Sequence, residues 1–409
     1  MLILAFADRR TMAGRILSKK PVVAVGLISY SAYLWHQPLL AFARLMSPNE
    51  LSVGVRLALV VAGLFLAWIS WRFIERPFRD RRNYTRGRIF AAAGFGSLLF
   101  IAVGLALSLA HGAPRRIAAP FRSLVAPPNN LVEDCPAVGM GVYECAIGVS
   151  GVRPTIALVG DSHSYAIASS LDAQLKARGL AGILVHTACH PIPGIFDSRE
   201  PLTAAYRASC AAANRAMEAR VTAPGIEAVL VAVRWTMRLF PIDRTEIQSG
   251  FDNGEGGVEG DAPFRRNLTL DTRGRESDAA PSKAAAVRDY LLRLAAGRKV
   301  ALIYPVPEVG WLPARLNMIA IARGGTPPRT ISTSQARYEQ RNKAAISVLD
   351  AVAAPNLVRV RPEALMCGRR LSGRCVAQAD GILYYYDDDH LSEAGATPLV
   401  AEALAKLGK

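Results

Sequence analysis

Three stretches near the start of the chain, residues 21–43, 53–71 and 89–110, are each about 19 to 23 residues long and mainly apolar. That is close to the ~20 residues that cross a bilayer as a helix. The third has no charged residue and many small ones, which favours close helix packing. His36 and Gln37 interrupt the first and Arg56 the second, so these two are expected to face a bundle or an interface. Further along the pattern changes. Short apolar, β-branched runs at 155–159, 182–187, 228–233, 299–304 and 357–360 alternate with helical stretches, which predicts a three-layer α/β domain with a mainly parallel sheet. The expected division is a membrane segment at 1–111, a Pro-rich linker at 112–150 and the α/β domain at 151–409. A polar stretch at 244–278, rich in Gly, Asp, Glu and Arg, is too long for an ordinary connection and reads as a mobile or surface-shaping insertion.

Charge adds orientation to this picture. The chain carries a formal net charge of +16, and residues 1–111 hold 14 Lys+Arg against 4 Asp+Glu. Five of the basic residues precede the first span, and seven arginines fill residues 72–88 between the second and third. Both basic segments are therefore expected in the cytoplasm, and everything after His111 outside it. No basic-aromatic stripe or nucleic-acid motif accompanies the charge, which argues against a nucleic-acid partner. The opening apolar patch, residues 1–7, is too short for a cleavable signal and is followed by charge.

The candidate chemistry lies in the α/β part. Gly160-Asp161-Ser162-His163 follows the run at 155–159 and precedes a helical pattern at 165–178, so Ser162 falls where a strand hands over to a helix. There a helix N-terminus offers backbone N–H groups to a developing oxyanion. About 225 residues later the chain reads Asp387-Asp388-Asp389-His390. The acid three residues before His390 can reach its Nδ1 through a tight turn, leaving Nε2 for the serine. Asp387 is the expected acid, with Asp389 the runner-up. Ser392 is placed to cap the last helix. His163 could touch substrate or serve the helix end. Arg234 and Trp235, at a strand end, could bind a sugar ring and its anionic group, or simply pack at the core edge.

GDSH early and DxxHLSxxGA late resemble the SGNH (GDSL-like) hydrolase and acyltransferase superfamily, in the version fused behind a membrane acyltransferase family 3 domain. Pro305-Val306-Pro307-Glu308-Val309-Gly310-Trp311 also resembles a stretch of that group, and the likeness covers roughly residues 130–409. It implies an SGNH-hydrolase-like (flavodoxin-like) fold, with Ser162 as nucleophile, His390 as base and Asp387 as its partner. The superfamily's further oxyanion donors are a glycine and an asparagine. Gly194 is the candidate for the first, while the chain reads Arg234-Trp235 where the second would stand. Residues 29–38 and 71–78 resemble the last two helices of the acyltransferase family 3 core, which implies an N-terminally truncated membrane part. That family's proposed catalytic histidine lies in the missing portion, so His36 does not inherit its role.

All six cysteines, Cys135, Cys145, Cys189, Cys210, Cys367 and Cys375, lie beyond the membrane segment, which fits an oxidising compartment. Fifteen connectivities are open. Local pairing is the simplest, and it is the habit of the fused group. His186, Cys189 and His190 have ligand spacing, but nothing completes a four-ligand metal site, and no cofactor is called for. The expected protein is thus a bacterial inner-membrane, multi-pass O-acyltransferase component with its C-terminal domain on the periplasmic or extracellular side. It would transfer an acyl group, by family habit acetyl, to a cell-surface glycan, the acyl donor arriving through a membrane acyltransferase core. A carbohydrate esterase with the same triad, or a glycan-binding module without catalysis, are the alternatives.

Overall fold

The computed structural model describes residues 11–49, 51–79, 85–112, 114–126, 131–132, 134–198, 203–239, 251–258, 266–270, 275–277 and 279–409. The patch at 1–7 and much of the polar stretch at 244–278 lie outside them. The chain divides into two compact units, Met1–Ala119 and Pro120–Lys409.

The first unit holds three long helices, α1 (Lys20–Leu45), α2 (Val53–Ser70) and α3 (Arg86–Leu109). A π-helical turn, Trp71–Glu75, carries α2 on toward Arg79. Trp35 Nε1 on α1 donates to Ser70 Oγ at 2.8 Å, and the Ser31 hydroxyl donates to the Glu75 carboxylate, so two polar groups of α1 are tied to its neighbour, while the Ser29 hydroxyl and His36 Nδ1 bond to carbonyls of α1 itself. Three spans were expected, whereas among the described residues two helices, Val53–Phe78 and Arg86–Leu109, are long and apolar enough to cross a membrane. The α1 stretch forms as a helix, but its serines, His36 and Gln37 dilute its apolar character.

The second unit is built on a seven-stranded sheet. Its strands are β1 (Ala137–Gly139), β2 (Val142–Gly148), β3 (Ile156–Gly160), β4 (Ala181–Thr187), β5 (Ala228–Ala232), β6 (Lys299–Ile303) and β7 (Leu357–Val360). Their order is β1-β2-β4-β3-β5-β6-β7. From β4 to β7 all neighbours are parallel, and β1 and β2 add an antiparallel edge. The residues at 137–148, within the stretch expected to be a linker, thus belong to the sheet. The five runs picked out by their apolar pattern are the five parallel strands, each within a residue of its expected bounds.

Burial on both faces explains why the inner strands β3, β4 and β5 read as largely apolar runs. On one face, Ile156 and Leu158 pack with Leu171 and Leu175 of α4 (Ser162–Ala177) and with Leu399 and Leu404 of the last helix. On the other, Ala157 and Val159 pack with Met217 of α5 (Ala204–Val221), and that layer also takes in Leu291 of the helix Ala280–Ala295 and Leu349 of the helix Gln335–Asp350. The chain order places β3 between β4 and β5, so connections leave it in opposite directions. Such a switch point opens a crevice at the carboxyl ends of the strands.

Candidate active site

Ser162 is the first residue of α4, directly beyond β3 and therefore at that crevice. Its N–H, in the first turn of a helix, has no intrahelical acceptor. The strand end needs glycine here: a Cβ on Gly160 would lie 1.7 Å from the Ala232 carbonyl oxygen of β5. Asp161 then ties the two strand ends together. Its carboxylate accepts from the His163 N–H at 3.1 Å, from the Arg234 N–H at 3.1 Å and from Arg238 Nε at 3.0 Å. Burial works against the Asp161 charge, but the Arg238 guanidinium and the N–H donors prevail and hold its carboxyl below the usual range.

The D-x-x-H segment forms a tight turn. Asp387 Oδ1 accepts from the backbone N–H groups of Asp389 at 3.0 Å and His390 at 2.7 Å, which leaves Oδ2 at 2.7 Å from His390 Nδ1. Asp389 Oδ1 reaches the same nitrogen at 2.9 Å. The other Asp389 oxygen, Oδ2, accepts from Arg234 NH1 at 3.0 Å and lies 3.2 Å from His163 Nε2. Arg234 is in turn held by Glu308 Oε1 at 2.8 Å, and Glu308 Oε2 accepts from Arg341 Nε at 2.9 Å. The His163 and His390 rings stand 5.3 Å apart, so the residue next to Ser162 meets the base region directly. His390 Nε2 is buried and has no hydrogen-bond partner, and the Ser162 hydroxyl is not bonded to it in this structure.

Charge alternates along this network. Burial disfavours the charge on Asp389 and Glu308, but Arg234 beside both, with the two imidazoles or with Arg341, keeps each below the ordinary carboxylate range. Burial also disfavours the His390 imidazolium. The hydrogen bonds to Asp387 and Asp389 and their two charges outweigh it and raise His390 to about 10.

The model of the SGNH domain (fused to AT3 domains) matches residues 132–405. This chain belongs to that family. Over 72 residues, 17% of the chain, it is 35% identical to the O-acetyltransferase OatA of Staphylococcus aureus, covering 12% of that protein. Over 90 residues it is 29% identical to the peptidoglycan O-acetyltransferase OatA of Listeria monocytogenes, covering 14% of it. The matches thus span only a small part of these relatives. Among solved structures it is similar to the periplasmic domain of a lipopolysaccharide acetyltransferase from Salmonella ser. Paratyphi A. There the identity is 12% and the TM-score 0.36, over 62% of this chain and 83% of that one.

Within this SGNH domain several residues singled out from sequence do other work. Trp235 is fully buried and its indole N–H donates to the Ile303 carbonyl at 2.7 Å, so it cannot stack on a sugar. Arg234 is buried with its guanidinium ion-paired to Glu308 and Asp389, which removes it as a binder of anionic sugar groups. His163 is likewise buried against Asp389 rather than turned toward solvent. Gly194 lines a cavity of about 340 Å³ with Asn214, Arg215 and Glu218 of α5 and with Arg293. Those side chains come from the helices that cover the opposite face of the sheet from α4.

The cysteines pair as Cys135–Cys145, Cys189–Cys210 and Cys367–Cys375. Cys189 is therefore no metal ligand. His190 is fully buried, accepting from the Ile192 N–H at Nδ1 and lying 3.2 Å from the Arg238 carbonyl at Nε2. His186 lies between Tyr143 and Tyr165. The oxygens of Asp389 face a guanidinium and two imidazoles, so charge pairing already accounts for the His163, Asp389 and His390 group.

Glu308, Arg341 and Arg238 were not singled out as site residues from the sequence. For Glu308 the available signal was its place in the Pro305–Trp311 stretch, since a carboxylate within an apolar segment after a strand needs a buried cation. Arg238 and Arg341 are ordinary arginines on helical stretches, and nothing local distinguishes them.

Proposed function

We propose that the outer domain is an acyl-transfer site in which Ser162 is the nucleophile, His390 the base and Asp387 its orienting acid, and that it moves an acetyl group to a hydroxyl of a cell-surface glycan. The observation that carries this reading is the 2.7 Å contact between Asp387 Oδ2 and His390 Nδ1, with the buried Nε2 left unpartnered and the ring of His163, next in the chain to Ser162, 5.3 Å from that of His390. Ser162 Oγ would attack the acyl carbonyl while its proton passes to His390 Nε2. The Ser162 N–H at the head of α4 would stabilise the oxyanion. As the tetrahedral intermediate collapses, the bond from the acyl carbon to the donor's leaving group breaks and His390 hands its proton to that group, leaving an acyl-serine. In the second half His390, neutral again, takes a proton from the sugar hydroxyl, whose oxygen attacks the acyl-serine; the ester bond to Ser162 Oγ breaks and His390 returns the proton to Ser162. The acetyl group and glycan acceptor are supported by the names of the OatA relatives. The two apolar helices and the three disulfides support a membrane anchor at the inner membrane with this domain outside the cytoplasm, and family membership supports an acyl donor arriving through an acyltransferase core.

The test uses the full chain in detergent with an aryl acetate as acyl donor. Ser162→Ala and His390→Ala are each expected to lower hydrolysis by roughly 10³-fold or more, and Asp387→Asn somewhat less. Equal activity in wild type and Ser162→Ala would refute the assignment.

A further inference from the structure

We propose that Asp389, held by Arg234 and shared with His163, is a second positioning carboxylate for His390, which with Asp387 clamps Nδ1 and sets the protonation of the ring. The proposal rests on the reading of His390 as the base. One carboxylate is enough to orient an imidazole, and Asp387 already does so at 2.7 Å. A second, 2.9 Å from the same nitrogen, is an added negative charge that must have a reason to stay. Two carboxylates converging on one N–H repel each other unless one is compensated. Arg234 compensates Asp389, and Arg234 is itself fixed by Glu308, which Arg341 holds from behind. The arrangement is thus built rather than incidental, since four buried charged side chains on separate parts of the fold must meet for Asp389 to keep its place.

The two acids differ in their reach. The Asp387 side chain is 24% exposed and that of Asp389 5%, so solvent screens the first charge more than the second. The groups facing His390 are Asp387 and Asp389 from its own turn and His163 from α4, with Arg234 after β5 and then Glu308 and Arg341 behind Asp389. Removing Asp389 deletes a negative charge and leaves Arg234 facing the ring, and both changes disfavour the imidazolium. Removing the Arg234 charge does the opposite. The elevation of His390 to about 10 agrees with the clamp.

The experiment titrates His390 directly, by NMR of the full chain in detergent carrying ¹³C-labelled histidine, in a Ser162→Ala background so that no activity is required. The six histidines are assigned by substitution. Asp389→Asn is expected to lower the His390 pKa by about one unit or more, and Arg234→Gln to raise it. In the chain with Ser162 restored, the ascending limb of the pH–rate profile should move in the same two directions. An unmoved titration in both variants would overturn the proposal, even where activity falls, because a merely structural role predicts loss without a shift. Should Asp389→Asn not fold, the opposite-signed shift in Arg234→Gln decides alone. Absence of Ser162-dependent hydrolysis in the wild type would instead remove the catalytic reading and leave the titration result standing.

Discussion

Two histidines in the outer domain respond to burial in opposite senses, and the difference lies in what each ring touches. His190 has no carboxylate in hydrogen-bond contact. Burial pushes it down to about 4, with Asp197 opposing and Arg238 assisting, so the folded state holds it neutral. Its folded pKa lies below the ~6.5 of an unfolded histidine, so its contribution is fully present above that value and is lost as pH falls through 6.5 toward 4. His390 has the reverse sign. Its folded value lies above the unfolded one, so its contribution is present below ~6.5 and is lost as pH rises toward 10. The apparent melting temperature is therefore expected to peak near neutral pH and decline on both sides. In His190→Gln the decline between pH 7 and pH 5 should be shallower, measured by thermal unfolding at the two pH values. Identical slopes in wild type and variant would exclude His190 as its source.

The meeting of β3 with β5 is where the element scale governs the site. Gly160 and Ala232 are register partners, and the Ala232 carbonyl occupies the space that a Cβ at 160 would need. Asp161, next along, then bonds across to the Arg234 N–H and the Arg238 side chain. Gly160→Ala must push the strand ends apart and break this tie. It is expected to cost at least the ~1–3 kcal/mol typical of overpacking, read as a lowered melting temperature, with Ser162-dependent hydrolysis falling more than stability alone explains. A melting temperature within a degree of wild type would mean that the strands yield without cost. Gly395 plays a comparable part in the last helix, since a Cβ there would lie 2.2 Å from the Tyr384 carbonyl and lift the helix off the turn that carries His390.

At the scale of the whole chain, the two units differ in what they bury. The helices of the first unit present most of their large apolar side chains outward, Phe95, Phe100 and Leu109 among them, whereas the second encloses a two-faced core and three disulfides. Outward apolar helices suit lipid, and disulfides persist in oxidising compartments. A reporter that is active only outside the cytoplasm should therefore be active when fused after Lys409 and inactive when fused at Asn83, within the arginine-rich segment. The reverse pattern would overturn the orientation.

What the sequence determined by itself follows from local rules. β3, β4 and β5 were legible because they are buried on both faces, which leaves a largely apolar run, and β6 and β7 because apolar residues dominate their short runs although Lys299 is exposed and Val358 and Arg359 are half-buried. The Asp387–His390 turn and the Ser392 cap were legible because their hydrogen bonds join residues only three positions apart. β2 was not: it is buried only at its two ends and half-buried or exposed from Tyr143 to Ala146, so no apolar run marks it and the Pro-rich surroundings read as linker. Nor was the fate of Arg234 and Trp235, since a strand-end arginine and tryptophan look the same whether they face a ligand or a buried glutamate and a backbone carbonyl. Only the tertiary structure brings Asp389, His163, Arg234, Glu308 and Arg341 together from five separate regions of the chain. Buried charges are stable only where the fold delivers each one its counter-ion, and no local pattern encodes that delivery.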